Sequence, residues 1–398
     1  MKKKIMILGA SILQLPAIIK AKKMGLQVIA VDMDPNAVGF QYADIGINIS
    51  TLDVKRVTDA ARYHQIEGIM TLASDFPLRT IAEVSKELHI KGINISTALN
   101  VTNKVLMRQI LNENNIPVPK FYNINTFEEY FYATKNFSGK YIVKPADNSG
   151  SRGVVLVENH EDLEERKRAF NYSKKYSRSG EIIVEEFMEG PEVSVETLTY
   201  ENITEIIAIT DKVTTGAPEF VEMGHSIPSQ LEEHIKIEIA NLVKNAIRVL
   251  GIKEGPTHTE VIVTKQGPKV VEVGARLGGD NITTHLVPYA TGVDMVEACI
   301  EIALGNKPML NQSTRKASAI RYFKAKEGKI KDIIGVDDAK RTSEVRNIVF
   351  TKQIGDKVND IKSSNDRIGF VITQHEVVQS AIEICEEAVS KIKIFTEQ

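Results

Sequence analysis

Residues 143–154, VKPADNSGSRGV, join an apolar strand that carries Lys144 to a small polar loop. Small loop residues let backbone N–H groups approach phosphate oxygens closely, and an arginine binds such oxygens in a charge-assisted fork. No GK[ST] sequence opens a helix here, so the segment is not a Walker loop. The turn residues of an ordinary surface hairpin would explain the same composition. The candidate phosphate-binding residues of the loop are Ser149, Gly150, Ser151, Arg152 and Gly153.

Residues 184–196, VEEFMEGPEVSVE, have the chemistry of a nucleoside site. Phe187 and Met188 could wall an adenine, and Glu185 could accept a hydrogen bond from its exocyclic amine. Glu192 follows a Gly-Pro turn and could accept from two ribose hydroxyls. Taken alone, the segment favours a solvated acidic hairpin.

Two glutamates, Glu260 in THTEVIVT and Glu272 in KVVEVG, sit mid-strand between branched apolar residues. The intervening Lys-Gln-Gly-Pro turn predicts a hairpin. Carboxylates in apolar surroundings need partners or a metal, and Mg²⁺ takes one or two carboxylates together with phosphate oxygens and water. We therefore expect both residues to share one face and bind Mg²⁺, although strand alternation could simply turn both to solvent.

Residues 274–281, GARLGGDN, place Arg276 four positions after the second carboxylate. A fixed guanidinium there could stabilise the charge that develops on a transferred phosphoryl group, or it could only pair with Glu272. Upstream, the segment 212–228 reads as a long irregular loop, which is typical of a lid or binding loop, with His225 as its candidate substrate contact.

The surrounding elements predict an α/β domain followed by α+β lobes. Strands and helices alternate through residue 98, including a short strand INIS, which indicates a doubly wound parallel sheet with Gly9, Asp32 and Asp75 at its carboxyl edge. A helix over 102–115, capped by Thr102, leads into the antiparallel region. The basic, apolar N-terminus imitates a signal peptide, but Pro16 and the lysines that follow favour a folded strand.

Composition excludes several classes of protein. The chain has 398 residues, 42% hydrophobic and 26% charged, which is too long for one small core and ordinary for a folded protein. The net charge of -2 disfavours nucleic acid as a partner, and no apolar run reaches the length of a membrane span. Two cysteines, Cys299 and Cys385, give no disulfide framework and fit a reducing cytoplasm.

In this order the motifs resemble the ATP-grasp superfamily of carboxylate–amine ligases, over residues 1 to about 310 and more loosely beyond. The similarity is greatest to L-amino acid ligases and phosphoribosylglycinamide synthetase-like proteins. The segments that carry it are TNKVLMRQIL, YIVKPADNSGSRGVV, IIVEEFMEGPEVSVE, THTEVIVT and KVVEVGARLGGDN.

The resemblance implies a Rossmann-like domain over 1–98, an ATP-grasp domain over 99–310 with a small lid lobe at about 116–188, and a C-terminal α+β lobe over 311–398. It implies ATP with Mg²⁺, for which Mn²⁺ could substitute. It also implies residue roles. The expected ATP contacts are Lys104, Lys144, residues 149–153, Glu185, Glu186, Phe187, Met188 and Glu192. The expected catalytic residues are Lys144, Arg152 and Arg276, the metal ligands Glu260 and Glu272, and the acceptor-facing residues His225, Gly278, Gly279, Asp280 and Asn281.

Two positions depart from the family pattern. Gly274 stands where many members have an asparagine that ligates magnesium, and Asp280 stands where related ligases have a bulky apolar residue. An acid there could attract the ammonium group or basic side chain of an amino-acid substrate.

The expected activity is amide or peptide bond formation through an acyl phosphate, on small carboxylate and amine substrates. A purine-pathway or carboxylase-type ligase and a nucleotide-binding protein without turnover stay open as alternatives. The expected location is the cytoplasm, and a homodimer is an expectation from the resemblance alone.

Overall fold

The structure, a computed structural model, describes residues 2–148, 150 and 152–397. Ser149 and Ser151, two of the expected phosphate contacts, lie outside the described residues.

Strands and helices alternate through the first part of the chain. The strands up to residue 186 are β1 Lys4–Leu8, β2 Gln27–Asp32, β3 Ile45–Asn48, β4 Gly68–Met70, β5 Phe121–Ile124, β6 Tyr141–Pro145, β7 Val155–Val157 and β8 Ile182–Glu186. The helices of the same part are α1 Leu15–Lys23, α2 Val54–His64, α3 Leu78–Leu88, α4 Ile95–Thr102, α5 Lys104–Glu113, α6 Phe127–Thr134 and α7 Leu163–Tyr176.

The second part is richer in long strands. These are β9 Glu192–Tyr200, β10 Ile203–Thr214, β11 Glu222–Ile227, β12 Gly255–Thr264, β13 Gly267–Gly274, β14 Ala317–Tyr322, β15 Gly328–Ile334, β16 Val345–Phe350, β17 Lys357–Val358, β18 Gly369–His375 and β19 Lys393–Glu397. The helices are α8 Glu233–Leu250, α9 Val287–Thr291, α10 Met295–Ala303, α11 Val336–Lys340 and α12 Val378–Lys391.

The N-terminal sheet is parallel, in the order β3-β2-β1-β4. Its central strand β1 is almost wholly buried, which explains its unbroken apolar sequence. The Asp32 carboxylate at the end of β2 accepts the amide of Ala10 at 2.7 Å, so this acid holds the first turn of the domain together. The parallel sheet confirms the expected α/β class for this part of the chain.

Two antiparallel sheets follow. The lid sheet has the order β5-β8-β6-β7 and is backed by α6 and α7 around buried aromatic residues, including Tyr130, Tyr141 and Phe170. The central sheet has the order β13-β12-β9-β10-β11-β14-β18-β16. Its last three strands come from beyond residue 310, so this sheet continues across the expected domain boundary. A smaller sheet, β17-β15-β19, lies at the C-terminal end.

Three local expectations were wrong. Residues 93–96 are not a strand, because α4 begins at Ile95, with the Asn94 side chain accepting from the amide of Thr97. The helix expected over 102–115 is capped by Asn103 rather than Thr102, whose hydroxyl instead donates to the carbonyl of Ala98 within α4. The segment 212–228 is not an irregular loop but mostly the strands β10 and β11, paired from Asp211 to Thr214.

No helix among the described residues is long and apolar enough to cross a membrane.

Replacing Asn103 by Ala is expected to lower the free energy of unfolding by about 1 kcal/mol, because Oδ1 accepts from the amides of both Val105 and Leu106 at the start of α5. Urea denaturation measures the loss. Asn103→Ser is the matched control and should retain most of the stability, since serine also caps helices. Equal stability of the alanine variant and the wild type would show that the cap is not used.

Candidate active site

Lys144 lies in a buried cluster of charges where the lid sheet meets α5. Its ammonium is 2.6 Å from Oε2 of Glu185, and Nε of Arg108 donates to Oε1 of the same carboxylate at 2.7 Å. Burial would raise the pKa of Glu185, but the two cations overcome this and lower it; burial also lowers the pKa of Lys144 despite its partner. Glu185 therefore holds Lys144 in place, in addition to its expected contact with adenine. Sequence reasoning missed Arg108, because nothing in an amphipathic helix marks one arginine as buried.

The glycine-rich loop follows Lys144, and the two described glycines have the left-handed backbone that favours this residue. Gly150 has a φ of +66° and Gly153 a φ of +83°. A Cβ on Gly153 would lie 2.7 Å from both Pro145 and Tyr176, so no larger residue fits there. Arg152 is beside the ring of Phe76, 5.8 Å from its centroid.

The segment between β8 and β9 connects the lid sheet to the central sheet. Phe187 and Met188 are half-buried in it, and the ring of Phe187 lies 6.3 Å from that of Phe220. Glu186 pairs with Lys269 of β13 at 2.5 Å, which ties the two sheets together. This arrangement is compatible with the adenine contacts that the sequence predicted.

Glu260 and Glu272 lie directly opposite one another on β12 and β13, where a bulge follows Glu260. Cross-strand partners project to the same face, so the register brings the two carboxylates together as expected. Their side chains are 24% and 26% exposed, so neither is sealed in the core.

Each of these carboxylates is held by a lysine through Oε1. Lys104, at the start of α5, lies 2.8 Å from Glu272 and also donates to the carbonyl of Asn148 in the lid at 2.8 Å. Lys212 of β10 lies 2.9 Å from Glu260. Burial would raise the pKa of Glu260, but Lys212 and His258 hold it well below its usual range, so this carboxylate is charged at neutral pH.

Lys212 is the centre of an acidic cluster that sequence reasoning missed. Its buried ammonium is 2.5 Å from Glu192, 2.9 Å from Glu260 and 3.7 Å from Glu222. Burial alone would lower the pKa of Lys212, and the three carboxylates reverse this and raise it. The continuous strand pattern IIAITDKVT was the signal in the sequence that could have revealed Lys212. The interpretation of residues 212–228 as a loop concealed it.

The pair Glu260–Glu272 fits Mg²⁺ delivered with a nucleotide. Carboxylate oxygens are the ligands that this ion prefers, and it completes its shell with phosphates and water. Among the described residues, no three acidic, histidine or cysteine side chains are grouped to hold a metal on their own.

Arg276 follows β13 and reaches the N-terminal domain. Its Nε and Nη2 donate to the two carboxylate oxygens of Asp75 at 3.2 and 3.3 Å, and Nη1 donates to the carbonyl of Leu277. Burial would lower the pKa of Arg276, but Asp75 and Glu272 raise it. The arginine is thus oriented by Asp75, an acid from the loop after β4.

Among the residues expected to face the acceptor, His225 and Asp280 contact each other, and the expectation for Asp280 needs a correction. His225 is buried on β11, and its Nε2 is 3.4 Å from Asp280 Oδ2. Arg367 donates to both oxygens of Asp280 at 2.7 Å and stacks on Tyr322, 3.8 Å from the ring centroid. The expectation of a carboxylate open to a substrate ammonium was therefore wrong in this structure, since a guanidinium already occupies it.

The backbone of this segment is tightly confined. A Cβ on Gly278 would lie 2.7 Å from His258 and 2.8 Å from Glu196, which form a buried pair at 2.5 Å. Burial lowers the pKa of His258, but Glu196 raises it, and the pKa reaches about 9. At neutral pH this histidine is a cation between Glu196 and Glu260, 3.7 Å from the latter, so it neutralises charge beside the expected metal site. Gly279 and Asn281 complete the segment, and Asn281 has a φ of +62°.

Comparison with known proteins finds two matching families in the chain. Residues 138–284 match the ATP-grasp domain, and residues 321–397 match the L-amino acid ligase C-terminal domain 2. The chain therefore contains an ATP-grasp domain and an L-amino acid ligase C-terminal domain.

Similar proteins include ligases of known activity. The ligase is 24% identical over 307 residues to the L-arginine-specific L-amino acid ligase of Bacillus subtilis, covering 75% of this chain and 73% of that one. It is 29% identical over 329 residues to an uncharacterised protein of Sinorhizobium fredii, covering 82% and 68%. The solved L-amino acid ligase of Bacillus licheniformis superimposes with a TM-score of 0.84, at 25% identity and over 100% and 99% of the two chains.

Replacing Glu185 by Gln in the ligase is expected to lower the free energy of unfolding by about 3–5 kcal/mol, because Lys144 and Arg108 would stay buried without a counter-charge. Urea denaturation monitored by circular dichroism measures this loss.

Glu186→Gln is the matched control. It removes the same group one residue away, from a pair with Lys269 whose side chains are 32% and 20% exposed, and should cost about 1 kcal/mol or less. Equal losses in the two variants would contradict the assigned role of Glu185.

Proposed function

We propose that this ligase joins the carboxylate of one amino acid to the amine of another, with conversion of ATP to ADP and phosphate. The observation that carries the proposal is the opposed pair Glu260–Glu272, flanked by Lys104 and Arg276 where the lid meets the central sheet. The C-terminal match to L-amino acid ligases favours amino acids over purine precursors as substrates.

The proposed first step is attack of a substrate carboxylate oxygen on the γ-phosphorus of ATP. A new oxygen–phosphorus bond forms, the bond to the β-phosphate oxygen breaks, and ADP leaves with its electron pair. This step needs positioning and charge neutralisation rather than covalent help from the protein. When bound, Mg²⁺ would neutralise phosphate charge between Glu260 and Glu272.

Residues of the chain supply the remaining positive charge. Lys104 already bridges the lid loop and Glu272, so it lies between the two parts that must enclose the phosphates. We assign Lys144 and Arg152 to the same phosphates and Arg276 to the reacting centre. In the second step the amine attacks the acyl carbon, and phosphate leaves as the amide forms.

Closure around the intermediate protects it from water. The proposed adenine site is the connector at 186–188, with Glu192 at the ribose. His225 is the cross-strand partner of Lys212 and lies 3.4 Å from Asp280, and it lines the proposed acceptor site together with the segment 278–281. A hydrolysed acyl phosphate would waste ATP, so the glycine loop must exclude solvent during the reaction.

The cellular location, the division into domains and the oligomeric state are also part of this proposal. The buried free thiols of Cys299 and Cys385 support a reducing cytoplasm. The three-domain division and a homodimer remain predictions, which limited proteolysis and size-exclusion chromatography with light scattering would test.

An ADP-release assay over pooled L-amino acids, with mass spectrometry of the products, tests the proposed function. We expect release that requires two amino acids, one equivalent of ADP for each dipeptide. Release that depends on bicarbonate or formate would contradict the proposal in favour of a purine-type or carboxylase-type ligase. ATP binding without release on any substrate would contradict it in favour of a binding protein.

Glu272→Ala is expected to reduce amino-acid-dependent ADP release by about 10²–10³-fold, because one of the two carboxylates at the metal site is lost. Thermal denaturation should show an intact fold. Glu205→Ala removes an exposed glutamate from β10 of the same sheet and should keep wild-type turnover. Normal turnover in the Glu272 variant would refute the metal assignment.

A further inference from the structure

The loop at residues 73–77, between β4 and α3, contacts both the central sheet and the lid. Its bends are defined: Ala73 has a φ of +56°, and the carbonyl of Asp75 accepts the amide of Leu78 at 3.2 Å. Asp75 and Phe76 are adjacent, yet they contact different parts of the molecule. The sequence marked Asp75 only as an acid beyond a strand, and the proposed chemistry gives it no role.

Asp75 and Gly274 are closely fitted. A Cβ on Gly274 would lie 3.0 Å from Asp75 Oδ1 and 3.2 Å from Cζ of Arg276. Gly274 is the position at which this chain departs from the asparagine that the resemblance implies. The absence of a side chain there leaves room for the Asp75–Arg276 fork, whose two hydrogen bonds fix the plane of the guanidinium.

Phe76 contacts the lid. The guanidinium of Arg178, which precedes β8, lies 4.2 Å from the centroid of its ring, and that of Arg152 in the glycine-rich loop lies 5.8 Å away. Arg178 is itself tied to the lid, because its amide donates to Asp147 at 2.9 Å. Cations over an aromatic face are attracted by its quadrupole, so the ring of Phe76 attracts two arginines of the lid.

We propose that the loop 73–77 sets the orientation of Arg276 and couples it to lid position, with Asp75 as a positioning residue and Phe76 as the lid contact. The proposal rests on the proposed role of Arg276 in the ligase reaction. It predicts separable defects: loss of Asp75 affects the chemical step, and loss of the Phe76 ring affects nucleotide retention and solvent exclusion.

Asp75→Asn keeps the shape of the side chain and removes its charge. We expect kcat to fall about 10–100-fold, as for other residues that orient a reacting group, with the Kd for Mg-ATP unchanged within about twofold. Isothermal titration calorimetry gives the Kd and steady-state ADP release gives kcat. Asp44→Asn is the matched control: it removes an acid whose partners, Lys22 and the amide of Val28, are structural, and it should lower stability but not kcat.

Gly274→Ala tests the same Asp75–Arg276 fork by adding a methyl group next to it. Its φ is outside the left-handed region, so the added methyl acts through Asp75 and Arg276 rather than through backbone strain. We expect kcat to fall in the same direction as in Asp75→Asn, and the double variant to show less than the product of the two effects. Fully multiplicative effects would contradict a shared fork.

Phe76→Ala is expected to raise the KM for ATP and to release more than one ADP per dipeptide, because a loosely held lid admits water to the intermediate. Phe76→Tyr keeps the ring and should retain both wild-type values. Release of one ADP per dipeptide in the alanine variant would contradict the role of Phe76 as a lid contact.

Three further outcomes separate the positioning role of Asp75 from the proposed function. Wild-type kcat in Asp75→Asn, with Arg276→Gln inactive, would overturn the positioning role and leave the proposed function standing. Full recovery of kcat at high Mg²⁺ would also overturn it, since Asp75 would then act as a metal ligand. Normal turnover of Arg276→Gln would instead remove the proposed function itself.

Discussion

The site depends on one constraint: charges that are withdrawn from water must be paired. Lys144 and Arg108 share Glu185, Lys212 is surrounded by three carboxylates, and Arg276 is forked to Asp75. Removing one partner of such a pair leaves an uncompensated charge, which costs far more than the intact pair contributes. The side chains of the ligase therefore hold a dense set of cations and anions in place, and such preorganisation is what phosphoryl transfer requires of a protein.

The pairing also joins the parts of the chain. Lys104 connects the lid to the central sheet through Asn148 and Glu272, and Arg276 connects the central sheet to the N-terminal domain through Asp75. Arg367 brings the C-terminal part to Asp280. These contacts are directional, so they determine how the parts approach one another in a way that apolar packing alone does not.

The sequence predicted what depends on local pattern. Strand alternation and the Lys-Gln-Gly-Pro turn were enough to place Glu260 and Glu272 on one hairpin, and the structure has them opposite each other. Residues 212–228 were misjudged because isolated Gly and Pro outweighed a strand pattern that reaches Thr214. The helix cap is Asn103 rather than Thr102, because α4 ends at Thr102 and α5 begins after Asn103.

What the sequence could not predict are the partners of the charges. Asp75 and Arg276 are 201 residues apart, and Asp280 and Arg367 are 87 apart, so no local pattern marks either pair. The departures at Gly274 and Asp280 were visible, but their reasons lay in other domains. At both positions the partner from elsewhere in the chain accounts for the residue: a glycine where a carboxylate from the N-terminal domain approaches, and an acid where an arginine from the C-terminal part arrives. At these two positions Asp75 and Arg367 therefore link segments of the ligase that are far apart in the sequence.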